Sequence, residues 1–121
     1  MMALKTYKEL EVWKRAMSLV EEIYKLTTLL PKEEQYGLKS QMQRAAVSIP
    51  ANIAEGYGRT NRKEYLLFLS YARASLMELE THLEIALRVI PLKQDQTSLA
   101  ISLMEEVGKM LTRLIQSLKA H

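Results

Sequence analysis

The sequence predicts an all-α protein, a single domain folded as an up-down-up-down antiparallel four-helix bundle. The 121-residue chain is 48% apolar and holds only four glycines and three prolines, whereas helix-favouring residues are abundant. Four segments repeat apolar residues at spacings of three and four, which is the periodicity of one helix face. The links between these segments are short, so neighbouring helices should run antiparallel. A chain of this length can bury its own core, and we assign residues 1–121 to one domain.

The first helix is predicted from about Lys8 to Leu29, and Pro31 closes it. An apolar stripe at a three-four spacing runs along it, formed by Leu10, Trp13, Met17, Val20 and Tyr24. We interpret Trp13, the single tryptophan, as a core anchor, with a subunit contact as the alternative.

The second helix is expected to begin near Glu33 and to end between Gly56 and Gly58, where two glycines can adopt left-handed conformations. Pro50 stands in the middle and cannot donate to the carbonyl of Ala46, which predicts a bend. Small residues crowd this helix and favour a close approach to a neighbour. They are Ala45, Ala46, Ser48, Ala51, Ala54 and Gly56.

A polar stripe runs beside the apolar face of the second helix. Its members are Arg44, Ser48, Asn52, Glu55 and Arg59. One interpretation is a hydrogen-bonded seam between helices or subunits, in which Arg44 pairs with Glu55 while Ser48 and Asn52 satisfy freed backbone groups. The other interpretation is a ligand or nucleic-acid site.

The turn after the second helix carries the densest basic cluster of the chain. Its cations are Arg59, Arg62 and Lys63, with Tyr57 and Tyr65 on either side. Basic residues interleaved with aromatic ones can hold phosphates and stack a base. The alternative is a solvated helix start, capped by Thr60 or Asn61, in which the arginines pair with nearby glutamates. Lys39 and Arg44 are weaker candidates for phosphate contacts.

The third helix has the clearest pattern, with a four-three apolar repeat from Tyr65 to Ile90 before Pro91 ends it. Three further apolar residues lie beside this four-three repeat, namely Leu66, Leu67 and Phe68. They predict a second buried face and therefore an oligomer. Three residues can cap the fourth helix, namely Asp95, Thr97 and Ser98. Gly108 lies inside this helix, where it costs about 1 kcal/mol relative to alanine, and it is expected to permit a close contact.

Several classes of site are disfavoured by the sequence. There is no cysteine, hence no disulfide and no thiolate metal site, and no glycine-rich phosphate loop is present. His82 stands alone, whereas a di-iron bundle needs paired Glu-x-x-His motifs. We therefore expect a non-enzymatic protein with no catalytic residue, metal or cofactor. No signal peptide or membrane-length apolar run is seen, which predicts a cytoplasmic protein without a membrane partner.

Several motifs together resemble those of the four-helix-bundle proteins encoded in intervening sequences of bacterial 23S ribosomal RNA genes. The longest is Q-M-Q-R-A-A-V-S-I-P-A-N-I-A-E-G-Y-G-R, residues 41–59. The others are L-E-V-W at 10–13, P-K-E-E-Q-Y-G-L at 31–38, K-E-Y-x-x-F-L from Lys63, and M-E-L-E-T-H-L at 77–83. One departure is visible, since Ala74 stands where the family pattern usually has glycine. The added methyl group would spread a close helix contact or change a subunit interface.

The resemblance implies a homo-oligomer, commonly a homopentameric ring, and kinship with accessory proteins of diversity-generating retroelements, which associate with a reverse transcriptase and bind nucleic acid. The family has no well-established biochemical activity. Two hypotheses follow. In the first, the oligomer contacts RNA or a ribonucleoprotein through the basic turn, and the formal charge of +3 permits this without requiring it. In the second, it is a protein-interaction scaffold, and the same arginines make intersubunit salt bridges.

Overall fold

Four long helices form the bundle in the computed structural model, which describes residues 6–120. They are α1 (Glu11–Thr27), α2 (Leu38–Tyr57), α3 (Arg62–Val89) and α4 (Gln94–Lys119). Each helix packs against its neighbours in the chain, and α1 also packs against α4, so the four helices close a ring around one core. Across the α1–α4 contact, Arg15 pairs with Glu106 at 3.1 Å. The predicted all-α four-helix bundle is confirmed.

The core receives one apolar stripe from every helix. Leu19, Ile49, Leu79 and Leu111 are fully buried, one from each helix in turn. Burying a side chain of this size contributes about 1.5–3 kcal/mol relative to leaving it in water. Trp13 lies at the edge of this core, where it is half-buried and meets the ring of Tyr7 edge-on at 5.4 Å.

The ends of α1 and α2 differ from the sequence prediction. The backbone is extended at Leu10, so the expected helix start near Lys8 is instead a separate 3-10 turn. Likewise, the start expected at Glu33 is a second 3-10 turn, and α2 begins only after Gly37. Glu34 still serves the helix end, because its carboxylate accepts a hydrogen bond from the amide of Leu38 at 3.2 Å. From there α2 continues without interruption through Pro50.

The starts of α3 and α4 are set by side chains that accept backbone hydrogen bonds. Asn61 caps α3, because its Oδ1 accepts a hydrogen bond from the backbone amide of Glu64 at 2.8 Å. It is one of the two residues that the sequence predicted as caps. The predicted caps of α4 were wrong, because that helix already begins at Gln94. There, the amide of Lys93 donates to the side chain of Gln96 at 2.8 Å.

The contact between α2 and α3 is the most extensive of the bundle, and it depends on Gly56. A Cβ atom on Gly56 would lie 2.8 Å from Cβ of Phe68, which is too close for a real contact. The prediction of left-handed glycines was wrong: no described glycine has a positive φ, and Gly58 has a φ of −78°. Gly56 is needed for the space it leaves, and not for its conformation.

Two groups of sequence predictions concern residues outside the described part of the chain. The predicted absence of a secretory signal depends largely on residues 1–5, and the terminal histidine is residue 121. The assignment of residues 1–121 to one domain stays a prediction.

We expect Gly56→Ala to lower the free energy of unfolding by about 1–3 kcal/mol, because the methyl group overpacks the contact with Phe68. Gly58→Ala is the matched control: its methyl group would meet only backbone atoms at 3.6 Å and beyond. It should raise stability by about 0.5 kcal/mol, through lower entropy of the unfolded chain. Urea unfolding measures both. Destabilisation by Gly58→Ala would contradict the right-handed conformation described here.

Candidate functional site

Three side chains form a half-buried polar seam between α2 and α3. The side-chain amide of Asn52 donates to the carbonyl of Ser48 at 2.8 Å and to its hydroxyl at 3.0 Å. That hydroxyl lies 2.8 Å from the hydroxyl of Ser75 on α3, and one of the two donates to the other. Asn52 stands one helical turn after Ser48, and their hydrogen bonds lie within one chain. Ser75 is the member that sequence reasoning missed, because nothing in its own local pattern indicates a partner on α2.

The ends of the predicted polar stripe have other roles. Arg44 and Glu55 are eleven residues apart on one helix, which is a separation of ~16 Å, so these two residues do not pair within one chain, and their pairing between subunits stays a prediction. Glu55 pairs instead with Arg59, one turn further along, at 3.0 Å. Arg44 is exposed and makes no ion pair with any residue of the described chain.

Two of the three cations in the basic turn are engaged in contacts within the chain. The Arg59 guanidinium lies 4.5 Å above the ring centre of Phe68, in addition to its ion pair with Glu55. Arg62 donates to the carbonyl of Leu118 at 3.0 Å, in the last turn of α4. A cation at this position satisfies an otherwise orphaned carbonyl and meets the negative end of the helix dipole. Lys63 is exposed and has no ion-pair partner among residues 6–120.

The tyrosines beside the turn pack against each other. The rings of Tyr57 and Tyr65 meet edge-on at 6.0 Å, and the Tyr65 ring also borders Gly56. Burial, the larger cause, and the nearby charge of Tyr57 together raise the pKa of Tyr65 to about 12. The hydroxyl of Tyr65 therefore stays protonated at neutral pH, and its ring packs within the α2–α3 contact.

The five candidate phosphate contacts fall into two groups. Arg59, Arg62 and Lys63 lie at the end of the bundle where α2 meets α3. Lys39 lies in the first turn of α2, eighteen residues before the helix ends at Tyr57, a distance of ~27 Å along the helix, and its ammonium group is 3.4 Å from the side-chain oxygen of Gln35. Arg44 lies in the same half of α2 as Lys39, so the candidates do not form one patch on a single chain.

Exposed apolar side chains at helical spacings form one strip on the outward side of α2 and another on that of α3, and we call the two together the outer face. It comprises Val47, Ala51, Leu67, Tyr71 and Ala74. Leu67 and Tyr71 are each 46% exposed, and Val47 is 43% exposed. Phe68 is half-buried, and its ring meets that of Tyr71 edge-on at 5.5 Å. The outer face is thus an apolar surface that lies beside the polar seam of Ser48, Asn52 and Ser75.

The outer face corresponds only in part to the second apolar surface predicted on α3. Leu67 is exposed as expected, whereas Leu66 and Phe68 are half-buried within the chain. Tyr71 and Ala74 complete the face, and the signal for them was their spacing of four and seven residues from Leu67. Ala74 is exposed, so the methyl group at this position enters no close helix contact within the chain.

Two other features that would indicate a function are absent from residues 6–120. No helix within this range is both long enough and apolar enough to cross a membrane. In the same range, no three carboxylate or imidazole side chains are grouped so that they could hold a metal ion. His82 lies 3.4 Å from its neighbour Glu78.

The fold and its exposed surface define a small four-helix-bundle protein whose most distinctive feature is an apolar face beside a buried polar seam. The chain matches the family model of the 23S rRNA-intervening sequence proteins over residues 8–113, and it belongs to that family. The family resemblance is thereby confirmed. The family name specifies no enzymatic activity.

A crystal structure from Bacteroides thetaiotaomicron VPI-5482 has a similar fold. It is a protein with unknown function from the S23 ribosomal protein family, 24% identical to this chain. The match has a TM-score of 0.79 and covers 87% of this chain and 95% of the other. Among curated proteins, none matches the chain.

We expect Arg62→Ala to lower the free energy of unfolding by ~1 kcal/mol, because the carbonyl of Leu118 loses its donor and the end of α4 loses a favourable charge. Lys63→Ala removes an adjacent cation that has no ion-pair partner in the described chain, and it should change stability by less than ~0.5 kcal/mol. Thermal and urea unfolding of both variants provide the comparison. Equal effects would show that the contact of Arg62 contributes nothing specific.

Proposed function

We propose that this protein is a non-enzymatic assembly unit that forms a homo-oligomer through its outer face. The observation that carries the proposal is the exposure of Leu67 and Tyr71 next to the small side chains of Ala51 and Ala74. Tyrosine is enriched among the residues that dominate binding energy at interfaces. Small residues beside it permit close approach of a second helix. Neither the family name nor that of its structural neighbour supplies an enzymatic activity.

The surroundings of the outer face favour a rigid contact surface. The seam formed by Ser48, Asn52 and Ser75 fixes α2 against α3. The ring of Phe68 packs edge-on against that of Tyr71, and Arg59 lies over the face of Phe68. A preformed surface of this kind loses little conformational entropy when it binds. Closed symmetry is the usual form of homo-oligomers, and the family resemblance favours a homopentameric ring.

Tyr71→Glu tests the interface. A carboxylate at this position would be desolvated by a second copy, so we expect the particle mass to fall to that of one or two chains while the helix content is retained. The matched control is Leu99→Glu, because Leu99 is 55% exposed on α4, away from the outer face. Size-exclusion chromatography with light scattering measures the mass, and circular dichroism measures the helix content. An unchanged mass for Tyr71→Glu would contradict the proposal.

Contact with RNA or a ribonucleoprotein is a second candidate function. It is favoured by the cations that the fold does not use, since Arg44 and Lys63 are exposed and have no ion-pair partner among residues 6–120. Arg59 and Arg62 also retain N–H donors beyond the contacts described, because a guanidinium carries five. A homo-oligomer would repeat these few contacts in every subunit, and multivalency would strengthen weak binding at each. The alternative is a protein-interaction scaffold that binds no nucleic acid.

Fluorescence anisotropy of a labelled structured RNA distinguishes a protein that binds RNA from a scaffold that binds no nucleic acid. We expect binding at low salt that weakens steeply as salt is raised, because released counterions drive phosphate contacts. Arg44→Gln combined with Lys63→Gln should weaken binding and flatten the salt dependence, whereas Lys93→Gln, an exposed cation outside the two candidate groups, should have little effect. Absence of binding at low salt would remove the nucleic-acid candidate and leave the scaffold.

A further inference from the structure

A second surface lies in the groove between α3 and α4, and it goes beyond the interface proposed above. A cavity of about 520 Å³ opens there, with Leu76, Met104 and Gly108 in its lining. A neighbouring depression continues it towards Leu83 and Leu87, and the two share Glu80, Met104 and Glu105. Together they form one continuous groove with an apolar floor along the α3–α4 pair.

The charges that line this groove are sorted into two halves. One half carries three cations, Arg73, Lys109 and Arg113, and the other carries three acids, Glu80, Glu84 and Glu105. All six side chains are exposed. Glu84 pairs with Arg88 at 3.0 Å, but the other five make no ion pair with any residue from 6 to 120.

The antiparallel course of α3 and α4 produces this arrangement. On α3 the cation Arg73 precedes the acids, whereas on α4 the acid Glu105 precedes the cations. Because the two helices run in opposite directions, both place their cations at the same end of the groove. The distance from Arg73 to Glu84 is ~16 Å along the helix, so the groove has well-separated positive and negative ends.

We infer that this groove is a docking surface for a second copy of the same chain, placed face to face and antiparallel about a two-fold axis. The axis lies in the contact plane and crosses the helices, so the positive half of each groove meets the negative half of the other. An isologous contact of this kind forms every charge pair twice. The charge sequence of the groove is self-complementary only in this antiparallel orientation, because a parallel one would place cations against cations.

The position of the axis follows independently from each helix. On α3, the midpoint between Arg73 and the two acids Glu80 and Glu84 is level with Met77. On α4, the midpoint between Glu105 and the two cations Lys109 and Arg113 is level with Gly108. Both Met77 and Gly108 line the same cavity, so the two helices give the same position for the axis.

The residues at this position suit a contact between copies. A Cβ atom on Gly108 would meet only the end of the Leu76 side chain, at an ordinary distance of 3.4 Å. Packing within the chain therefore does not require glycine here, in contrast to Gly56. Its small size leaves α4 open to a close approach from outside. Met77 is 57% exposed beside it, and a flexible methionine can fill the space between two facing grooves.

Charge exchange tests this inference in the full-length protein. Arg73→Glu and Glu80→Arg should each raise the dissociation constant of the two-fold contact at least ~10-fold, because each change places like charges opposite each other twice. The double variant exchanges the charges at positions 73 and 80, while Glu84 keeps its ion pair with Arg88, and it should restore association to near the wild-type level. The control is Lys93→Glu, which makes the same charge change at an exposed site outside the groove and outside the candidate phosphate contacts.

The readout is particle mass by light scattering over a range of protein concentration. The measurement is made with Tyr71 intact and with Tyr71→Glu, which separates this contact from the proposed outer-face interface. With Tyr71→Glu we expect two-chain particles, and adding Arg73→Glu should reduce them to single chains. If Tyr71→Glu leaves the particle mass at the wild-type value, the outer-face proposal fails. The variants of Arg73 and Glu80 still test the groove in that case, because their effect on the mass does not depend on Tyr71. The inference is overturned if neither Arg73→Glu nor Glu80→Arg changes the particle mass, with Tyr71 intact or with Tyr71→Glu. It is also overturned if the double variant does not regain the wild-type association.

Discussion

The close approach of α2 to α3 at Gly56 is the constraint on which the rest of the structure depends. With no side chain on Gly56, Phe68 of α3 sits directly on the backbone of α2. The same approach brings Ser48 within hydrogen-bonding distance of Ser75. It also places Arg59 over the ring of Phe68, and that ring supports Tyr71 at the surface. One missing methyl group thus positions the polar seam, one of the basic residues and the exposed apolar face.

The fold itself could be predicted from the sequence because its determinant is periodicity. Apolar residues recur at three and four positions in each helix, and this pattern is insensitive to the details of the ends. The ends were less predictable. Extended backbone at Leu10 and the break at Gly37 each separate a 3-10 turn from the helix that follows. Nothing in the local composition distinguishes such a turn from the first turn of an α-helix.

The candidate site was predicted in its residue types but not in its pairings. Ser48 and Asn52 do make hydrogen bonds, yet the partner of Ser48 on α3, Ser75, lies 27 residues away in sequence and belongs to no local pattern. Arg62 reaches Leu118 over a still longer separation in sequence, 56 residues. The even distribution of charge along the chain also concealed the order in the α3–α4 groove. That order arises only when two antiparallel helices are placed side by side.

The contact of α1 with α4 has a consequence for how the chain folds. Links of only four residues join α2 to α3 and α3 to α4, and ten residues join α1 to α2. Loops this short close at small entropic cost, and a bundle dominated by local contacts is expected to fold quickly. Among the described helix pairs, α1 and α4 alone must meet across the length of the chain. Their docking therefore closes the longest loop of the bundle, and we expect the hairpin of α2 and α3 to form first and to provide the surface on which the outer two helices assemble.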